Sequence, residues 1–289
     1  MYTHRISQQL KMELLKIRKD LIIHLREDFP ELVDKFNHFI LSQFQSKKNT
    51  VVHLTFNRKT ESLPKEVVIK IFTNESADTE YDTLKHLYEQ KILVPKIIYY
   101  KKPFLILEKI EGINLCDFIN DRLLKVADLD SLDIITKEEL LRCIEKLANW
   151  LSKLHTNNII EDKEHSHVKV LNKGDTRLRD FIYNPSDNEM IGLDFEDSYG
   201  GHHIDDIAWI CCSLLDTNPG IFEQTVPIAK IELINLFLKS YYRINPETHF
   251  DFTYFTEKLI ENLNTVMNRR GIDMILNKDN FIKEISRDM

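Results

Sequence analysis

The chain has 289 residues, of which 43% are hydrophobic and 29% charged, and its formal net charge is −7. This length and composition predict one large or two modest globular domains with a sizeable core. The negative charge argues against a nucleic-acid partner, since phosphate backbones are bound by basic surfaces. The polar first segment and the lack of an apolar run of 18 residues argue against a signal peptide and a membrane partner. We therefore expect a soluble cytoplasmic protein.

The glycine and cysteine content excludes several further classes of protein. Only seven glycines occur, and the first is Gly112. The preceding 111 residues therefore contain neither a Walker A loop nor the G-x-G-x-x-G fingerprint of dinucleotide-binding domains. The cysteines follow neither metal-ligand nor disulfide-framework spacing, so we expect them to be reduced and mostly buried; they are Cys116, Cys143, Cys211 and Cys212.

The first part of the chain predicts helix followed by a small mixed region. Leucine and isoleucine recur at helical spacing over residues 6–27, and a second short helix is predicted over residues 30–39. The runs FILSQF, TVVHLTF and EVVIKIF are rich in β-branched and aromatic residues and predict three consecutive antiparallel strands. SADTEYDTLKHLYEQK predicts a helix with Ser76 as its N-cap, and KIIYY and FLILEKI predict two further strands.

After residue 112 the pattern becomes mainly helical. TKEELLRCIEKLANWLSKLH predicts a long helix, with Thr136 and Glu139 at the spacing of a capping box. Two short strands, FIYN and MIGLDF, follow. Helical patterns return from Ile204 and are broken near Pro219, Pro246 and Gly271.

The order of elements predicts an α+β protein in three segments. Residues 1–37 form a helical extension, and residues 38–110 form a small lobe with a five-stranded antiparallel sheet and one inserted helix. Residues 111–289 form a larger, mainly helical lobe.

Carboxylates recur around the two short strands at intervals that no helix or strand period explains. They are Asp175, Asp180 and Asp194. Upstream, Lys70 lies at the end of a strand otherwise built for burial, and Glu80 lies on the next helix. Singly, an aspartate more often caps a turn, and such a lysine more often reaches outward. The ordered set matches phosphoryl transfer, which needs a cation for the phosphates, carboxylates for Mg²⁺ and a base for the attacking hydroxyl.

Over residues 40–270 the sequence resembles the protein-kinase-like fold, and within it the aminoglycoside phosphotransferase and choline kinase-like family. The matching segments are VVIKIF, TEYDTLKHL, FLILEKIEG, LANWLSKLH, KGDTRLRDFIY, IGLDFED and DDIAW. The resemblance implies a two-lobed fold and an enzyme that moves the γ-phosphoryl group of ATP to a hydroxyl of a small molecule.

The resemblance also implies residue roles. Asp175 is the catalytic carboxylate, and Arg177 faces the γ-phosphate; Asp180 and Asp194 hold Mg²⁺. Lys70, steadied by Glu80, contacts the α- and β-phosphates. Further nucleotide contacts are implied for Ser46, Lys47, Asn49, Thr50, Glu108 and Ile110. Asp206 braces the catalytic loop. From charge alone, the cluster of Glu196, Asp197 and Asp205 predicts a cationic or amine-bearing acceptor.

Three features depart from the family pattern. Lys173 replaces the usual histidine, Asp180 replaces the usual asparagine, and the loop QSKKNTV between the first two strands lacks glycine. Two other functions stay open: a protein Ser/Thr kinase, and an inactive pseudokinase that binds a nucleotide or a partner. Nucleotidyl transfer is a remote third. The acceptor, the choice of ATP over GTP and the oligomeric state are also open.

Overall fold

The computed structural model describes residues 39–44, 49–56, 64–160, 169–273 and 282–285, with scattered positions between residues 16 and 27. The chain divides into two compact units. The first comprises Met1–Ala77 and Lys96–Lys109, and the second comprises Asp78–Pro95 and Ile110–Met289. No helix in the described part of the chain is long and apolar enough to cross a membrane.

Some predicted features lie outside the described residues. The helix predicted over residues 6–27 is described only at scattered positions, which are helical. Ser46 and Lys47 are not among the described residues, nor is the helix predicted over residues 30–39, apart from its last residue, which begins a strand.

The first unit is built on a five-stranded antiparallel sheet with the strand order β1-β2-β3-β5-β4. All five predicted strands are present. Val52, Leu54 and Ile69 alternate with partly exposed residues and are completely buried in the core of this unit, as the period of two in a half-buried strand requires. The strands are β1 (Phe39–Phe44), β2 (Thr50–Phe56), β3 (Glu66–Ile71), β4 (Ile97–Lys101) and β5 (Phe104–Glu108).

The second unit is mainly helical, as predicted. The helices of the described residues are α1 (Ser76–Glu89), which crosses the division between the units, α2 (Leu115–Leu123), α3 (Ile134–Asn157), α4 (His203–Asp216), α5 (Ile228–Ile244) and α6 (Phe252–Arg270). Helix α3 packs on α5, and α4 packs on α6. The chain leaves helix near each predicted break, at Pro219, Pro246 and Gly271.

Two small antiparallel sheets accompany these helices, with the orders β10-β9-β6 and β11-β8-β7. Their strands are β6 (Ile113–Asn114), β7 (Ile159–Ile160), β8 (Lys169–Asn172), β9 (Phe181–Asn184), β10 (Glu189–Gly192) and β11 (Tyr199–Gly201). The predicted strand MIGLDF therefore ends at Gly192, which leaves Asp194 in a loop.

Two predicted helix starts are wrong. Ser76 is the first residue of α1, and the Asn74 side chain accepts a hydrogen bond from the Ser76 backbone nitrogen at 3.2 Å. Helix α3 begins before Thr136, because Asp133 caps it by accepting from the Thr136 nitrogen at 3.0 Å. The predicted capping box is absent, and Glu139 instead forms an ion pair with Arg122 at 2.8 Å.

The burial predicted for most of the cysteines is confirmed. All four are free, three are buried and Cys116 is half-buried. Burial raises the pKa of the Cys143 and Cys211 thiols above the usual range, so these residues act as small apolar side chains of the core.

Lys230 is a buried lysine on α5. Its side chain is 1% exposed, and its Nζ donates hydrogen bonds to Asn120 Oδ1 at 2.7 Å and Thr217 Oγ1 at 3.0 Å. These partners are neutral, and burial lowers the pKa of Lys230 to about 8. Between this value and the unfolded pKa, the unfolded chain binds a proton that the native protein does not.

We predict that the free energy of unfolding of the wild type, relative to Lys230→Met, rises between pH 8 and pH 10.5. Stability increases with pH wherever the unfolded state binds more protons, and a pKa lowered by burial gives a gain of about 3 kcal/mol over the whole window. Urea unfolding of both proteins across this range measures the difference. Lys239→Met, an exposed lysine on the same helix, is the control, and an equal pH dependence in both variants would contradict the prediction.

Candidate active site

A buried carboxylate braces the loop that follows β8. Asp206, in the first turn of α4, is 0% exposed. It accepts hydrogen bonds from the backbone nitrogens of Lys173 at 2.7 Å and Gly174 at 3.1 Å, and from Thr176 Oγ1 at 2.5 Å. The resemblance implied these contacts for Asp206. They fix the backbone on both sides of Asp175.

The same carboxylate is tied to the helical core. His155, the last residue of the motif LANWLSKLH, donates to Asp206 through Nε2 at 3.2 Å, and its Nδ1 lies 2.7 Å from the Tyr241 hydroxyl. Burial alone would raise the pKa of Asp206, but the hydrogen bonds from His155, Thr176 and Lys173 outweigh it and lower the pKa. Asp206 is therefore an anion at neutral pH. Sequence reasoning missed Tyr241, which lies on a different helix.

The backbone of this loop has a left-handed conformation at two successive residues. Gly174 has φ +76°, and a Cβ there would lie 2.2 Å from the carbonyl oxygen of Asp197, so glycine is required for space as well as for φ. Asp175 follows with φ +41°, and Asp194 has φ +63°. Left-handed aspartates are uncommon and cluster at functional sites, where surrounding contacts hold them.

Two arginines bind the predicted catalytic carboxylate. The Asp175 side chain is 20% exposed. Arg177 donates to it through Nε at 3.1 Å and also through Nη2. Arg269, at the end of α6, donates through Nη1 at 3.1 Å to each of the two carboxylate oxygens. Burial alone would lower the pKa of Arg177, but the hydrogen bond and charge of Asp175 raise it. Arg269 was not predicted, because no local motif marks a residue 94 positions away.

The two departures from the family pattern in this loop contact each other. The Lys173 side chain is 1% exposed, and its Nζ donates to the backbone carbonyl of Asp194 at 2.8 Å and lies 3.6 Å from Asp180 Oδ2. The rings of Phe181 and Phe195 lie 5.9 Å and 5.5 Å from this ammonium. Burial raises the pKa of Asp180, and the charge of Lys173 offsets part of that rise.

Lys173 and Asp180 thus form a nearly buried ion pair, at two positions where the family that the sequence resembles has neutral side chains. The lysine also anchors the backbone at Asp194. Each charge compensates for the other, since either charge alone in this environment would be costly.

A group of three carboxylates lies near the loop of Asp194. Oxygens of Glu80, Asp194 and Glu196 lie within 4.8 Å of one another. Glu80 and Glu196 are buried and Asp194 is exposed. Hard oxygen donors in this number suit Mg²⁺ or Ca²⁺, so the residues fit a divalent cation. Of the two predicted metal ligands, Asp194 is in this group and Asp180 is not. Glu80 was predicted to pair with Lys70, and Glu196 to contact the acceptor.

The remaining residues predicted to bind the acceptor are Asp197 and Asp205, and they have different surroundings. Asp197 is exposed. Asp205 accepts from the Tyr199 hydroxyl at 3.0 Å and the Tyr254 hydroxyl at 2.8 Å, so its charge is held by hydrogen bonds within the fold. Roles for Glu196 and Asp197 in acceptor binding stay predictions.

The predicted nucleotide contacts of the first unit lie on its sheet. Lys70 is on the central strand β3, opposite Val51 and Leu105, and is 8% exposed. Asn49 is buried just before β2, which begins at Thr50.

Two other predicted nucleotide contacts lie at the end of β5 and just after it. Glu108 ends β5 and accepts from the Lys96 nitrogen at 2.7 Å. Ile110, like Glu80, belongs to the second unit. Their contacts with a nucleotide, and the pairing of Lys70 with Glu80, stay predictions.

We predict strong coupling between Lys173 and Asp180 in stability. Lys173→Met leaves a nearly buried carboxylate without its cation and should destabilise the fold by about 3 kcal/mol. Asp180→Asn added to that variant should cost less than it does alone, with a coupling of about 2 kcal/mol. Chemical denaturation of the four proteins in the double-mutant cycle measures this value.

The surface pair Lys258–Glu261, at 2.8 Å, is the matched control. Its coupling should lie below about 1 kcal/mol, because exposed ion pairs are screened by solvent. Additive effects of Lys173→Met and Asp180→Asn would show that the pair contributes nothing.

Comparison with known proteins agrees with the fold. No family model matches the chain. Amicoumacin kinase, solved with AMP-PNP, Ca²⁺ and Ami, is 15% identical with a TM-score of 0.52, and the match covers 91% of this chain and 94% of that one. A choline kinase of Cryptosporidium parvum Iowa II is 14% identical with a TM-score of 0.48, covering 88% of this chain and 97% of that one.

A sequence match points to a different protein. A putative ribosomal RNA large subunit methyltransferase of Methanocaldococcus jannaschii is 30% identical over 142 residues, 47% of this chain and 34% of the relative. The chain thus spans about a third of the length of the curated relative it matches. The fold rests on the likeness to amicoumacin kinase: the chain has the protein-kinase-like fold, as its sequence motifs predict.

Proposed function

We propose that the chain is a phosphotransferase that moves the γ-phosphoryl group of ATP to a hydroxyl of a small molecule. The observation that carries this proposal is the loop that Asp206 braces around Asp175, together with the carboxylate group at Asp194. Phosphoryl transfer depends mainly on positioning and on charge stabilisation, and both features serve those ends.

In the proposed reaction, Asp175 orients the acceptor hydroxyl and accepts its proton as the hydroxyl oxygen bonds to the γ-phosphorus. The bond between that phosphorus and the β–γ bridging oxygen breaks, and ADP leaves. Arg177, 26% exposed beside Asp175, offsets charge on the transferring group. The left-handed backbone of Asp175 directs its carboxylate from a fixed loop, which reduces the entropy lost on reaching the reactive geometry.

A divalent cation is part of the proposal. Asp194, with Glu80 and Glu196 or with Asp180, would hold it, and it would neutralise charge on the phosphates. Lys173 supports Asp194 by binding its carbonyl oxygen, so the orientation of the carboxylate does not depend on the loop alone.

The proposal also assigns phosphate contacts to residues of the first unit. Lys70 is assigned to the α- and β-phosphates. The first loop has no glycine, so phosphate contacts there fall to Asn49 and Thr50 and to the segment that carries Ser46 and Lys47.

The pseudokinase alternative has one specific observation in its favour. Both oxygens of Asp175 accept hydrogen bonds from guanidinium groups of Arg177 and Arg269, so its lone pairs are already engaged where an acceptor hydroxyl would have to bind. Methyl transfer is not proposed, since the match to the methyltransferase covers only 34% of that protein. A protein Ser/Thr acceptor has no further support.

We predict that ATP with Mg²⁺ raises the melting temperature of the wild type and that Asp194→Asn abolishes the Mg²⁺-dependent part of the rise. Ligand that binds the native state stabilises it by mass action, by about 2.7 kcal/mol at a hundredfold excess over Kd. A thermal-shift titration with ATP, with and without Mg²⁺, measures it. Asp121→Asn, an exposed aspartate on α2, is the control.

A companion assay tests turnover. Asp175→Asn should keep the nucleotide-dependent rise in melting temperature. In the presence of an accepted alcohol, its rate of ADP release should fall by a factor of about 10³ or more. A folded protein that shows no shift with any nucleotide would contradict the proposed function. Binding without ADP release for any alcohol would favour the pseudokinase.

A further inference from the structure

The strongest unexplained feature of the second unit is the second arginine at Asp175. Arg177 is a neighbour in the loop, and its contact with Asp175 is local. Arg269 comes from the last turn of α6 and donates to both oxygens of the same carboxylate. The fold brings these two guanidinium groups together on one side chain that needs only one of them for neutrality.

These three side chains together carry a net positive charge. Asp175 contributes one negative charge, and Arg177 and Arg269 contribute two positive charges. Asp180 and Asp216 also act on Arg177, but each has a cation of its own, and that of Asp180 is Lys173 at 3.6 Å. The neighbouring Arg270 has its own carboxylate partner, Asp216, at 2.6 Å. An amine-bearing acceptor would approach Asp175 against this excess, whereas an anionic one would be attracted to it.

Trp209 positions both guanidinium groups. The Arg177 and Arg269 carbons that carry the charge lie 5.9 Å and 5.7 Å from the centroid of its ring, within the range of a cation–π interaction. The two side chains are still 26% and 42% exposed. Their donors are thus held in place before any ligand arrives and remain open to solvent, which is how arginine recognises carboxylate and phosphate with little loss of entropy.

We propose that Arg177 and Arg269 form an oxyanion site and that the acceptor of the proposed reaction carries a carboxylate or phosphate group near its reacting hydroxyl. This inference rests on the proposed function. It replaces the amine-bearing acceptor expected from sequence, and it assigns Arg177 to the acceptor's anion instead of the transferring phosphoryl group. The Asp175 carboxylate accepts hydrogen bonds from the donors that the acceptor's anion would take. The transfer of these hydrogen bonds to the acceptor frees an oxygen of Asp175 for the hydroxyl proton.

This exchange also sets specificity. A neutral or cationic alcohol has no group that can accept the guanidinium hydrogen bonds, so Asp175 stays bound by both arginines. An acceptor with an oxyanion satisfies the arginines and activates the base in one binding event. Discrimination then depends on whether the acceptor can take over the guanidinium hydrogen bonds from Asp175, which an oxyanion can do and a neutral or cationic alcohol cannot.

The test uses four alcohols of similar size on the full chain without nucleotide: glycerol 3-phosphate, glycerate, glycerol and choline. Their dissociation constants are measured by saturation-transfer NMR for the wild type, Arg269→Gln and Arg269→Lys. Arg243→Gln, a 68% exposed arginine on α5, makes the same change in charge elsewhere on the unit.

We expect glycerol 3-phosphate or glycerate to bind the wild type at least about tenfold more tightly than glycerol or choline, a difference of about 1.4 kcal/mol. Arg269→Gln should remove this preference, Arg269→Lys should keep part of it, and Arg243→Gln should leave it intact. Three outcomes would each overturn the proposal. Choline could bind as tightly as the anions, Arg269→Gln and Arg243→Gln could have equal effects, or none of the four alcohols could bind.

A second measurement separates the acceptor from the nucleotide. If Arg269 served the γ-phosphate, Arg269→Gln would weaken ATP relative to ADP and leave glycerol 3-phosphate binding unchanged, which would also overturn the proposal. The nucleotide-dependent thermal shift does not involve these alcohols. Loss of that shift with intact anion binding would therefore reject the kinase and keep the oxyanion site, and the reverse result would reject only the oxyanion site.

Discussion

The carboxylate of Asp206 is the interaction on which the candidate site depends. It is fully buried on a helix that is itself almost wholly buried, and it accepts hydrogen bonds from two loop amides, Thr176 and His155. A buried anion is stable only when its lone pairs are satisfied. The loop must therefore keep the shape that supplies those donors, and this constraint holds Gly174 and Asp175 in the left-handed region.

The pair Lys173 and Asp180 shows how a site can change its chemistry without changing its geometry. The family that the sequence resembles has two neutral polar side chains at these positions, whereas this chain has two opposite charges 3.6 Å apart. Lys173 also donates to the backbone of Asp194. The same ammonium thus neutralises Asp180 and anchors the backbone at Asp194.

Asp175 sits in a more positive environment than its sequence neighbourhood indicates. Arg269 reaches it from the end of α6, and Trp209 on α4 positions both of its arginines. Because α4 also carries Asp206, a single helix supports the loop backbone and the groups that bind the catalytic carboxylate. The electrostatics of the site are therefore set by helix packing in the second unit.

The sequence by itself predicted the five strands of the first unit, the helix α1, the long helix α3 and the strands FIYN and MIGLDF, because hydrophobic period and turn residues are local signals. The short strands β6, β7, β8 and β11 were not predicted. The sequence also predicted the fold, through motifs that are each local in the chain, and it marked Asp175, Asp180 and Asp194 as candidate site residues. Tertiary structure alone decided the partners of those residues: Arg269 on Asp175, Lys173 on Asp180, and Glu80 and Glu196 beside Asp194. The structure also decided the start of α3, which is capped by Asp133 and not by Thr136. The physical reason is that a contact between residues far apart in the chain depends on how helices and strands pack, and no local pattern encodes it.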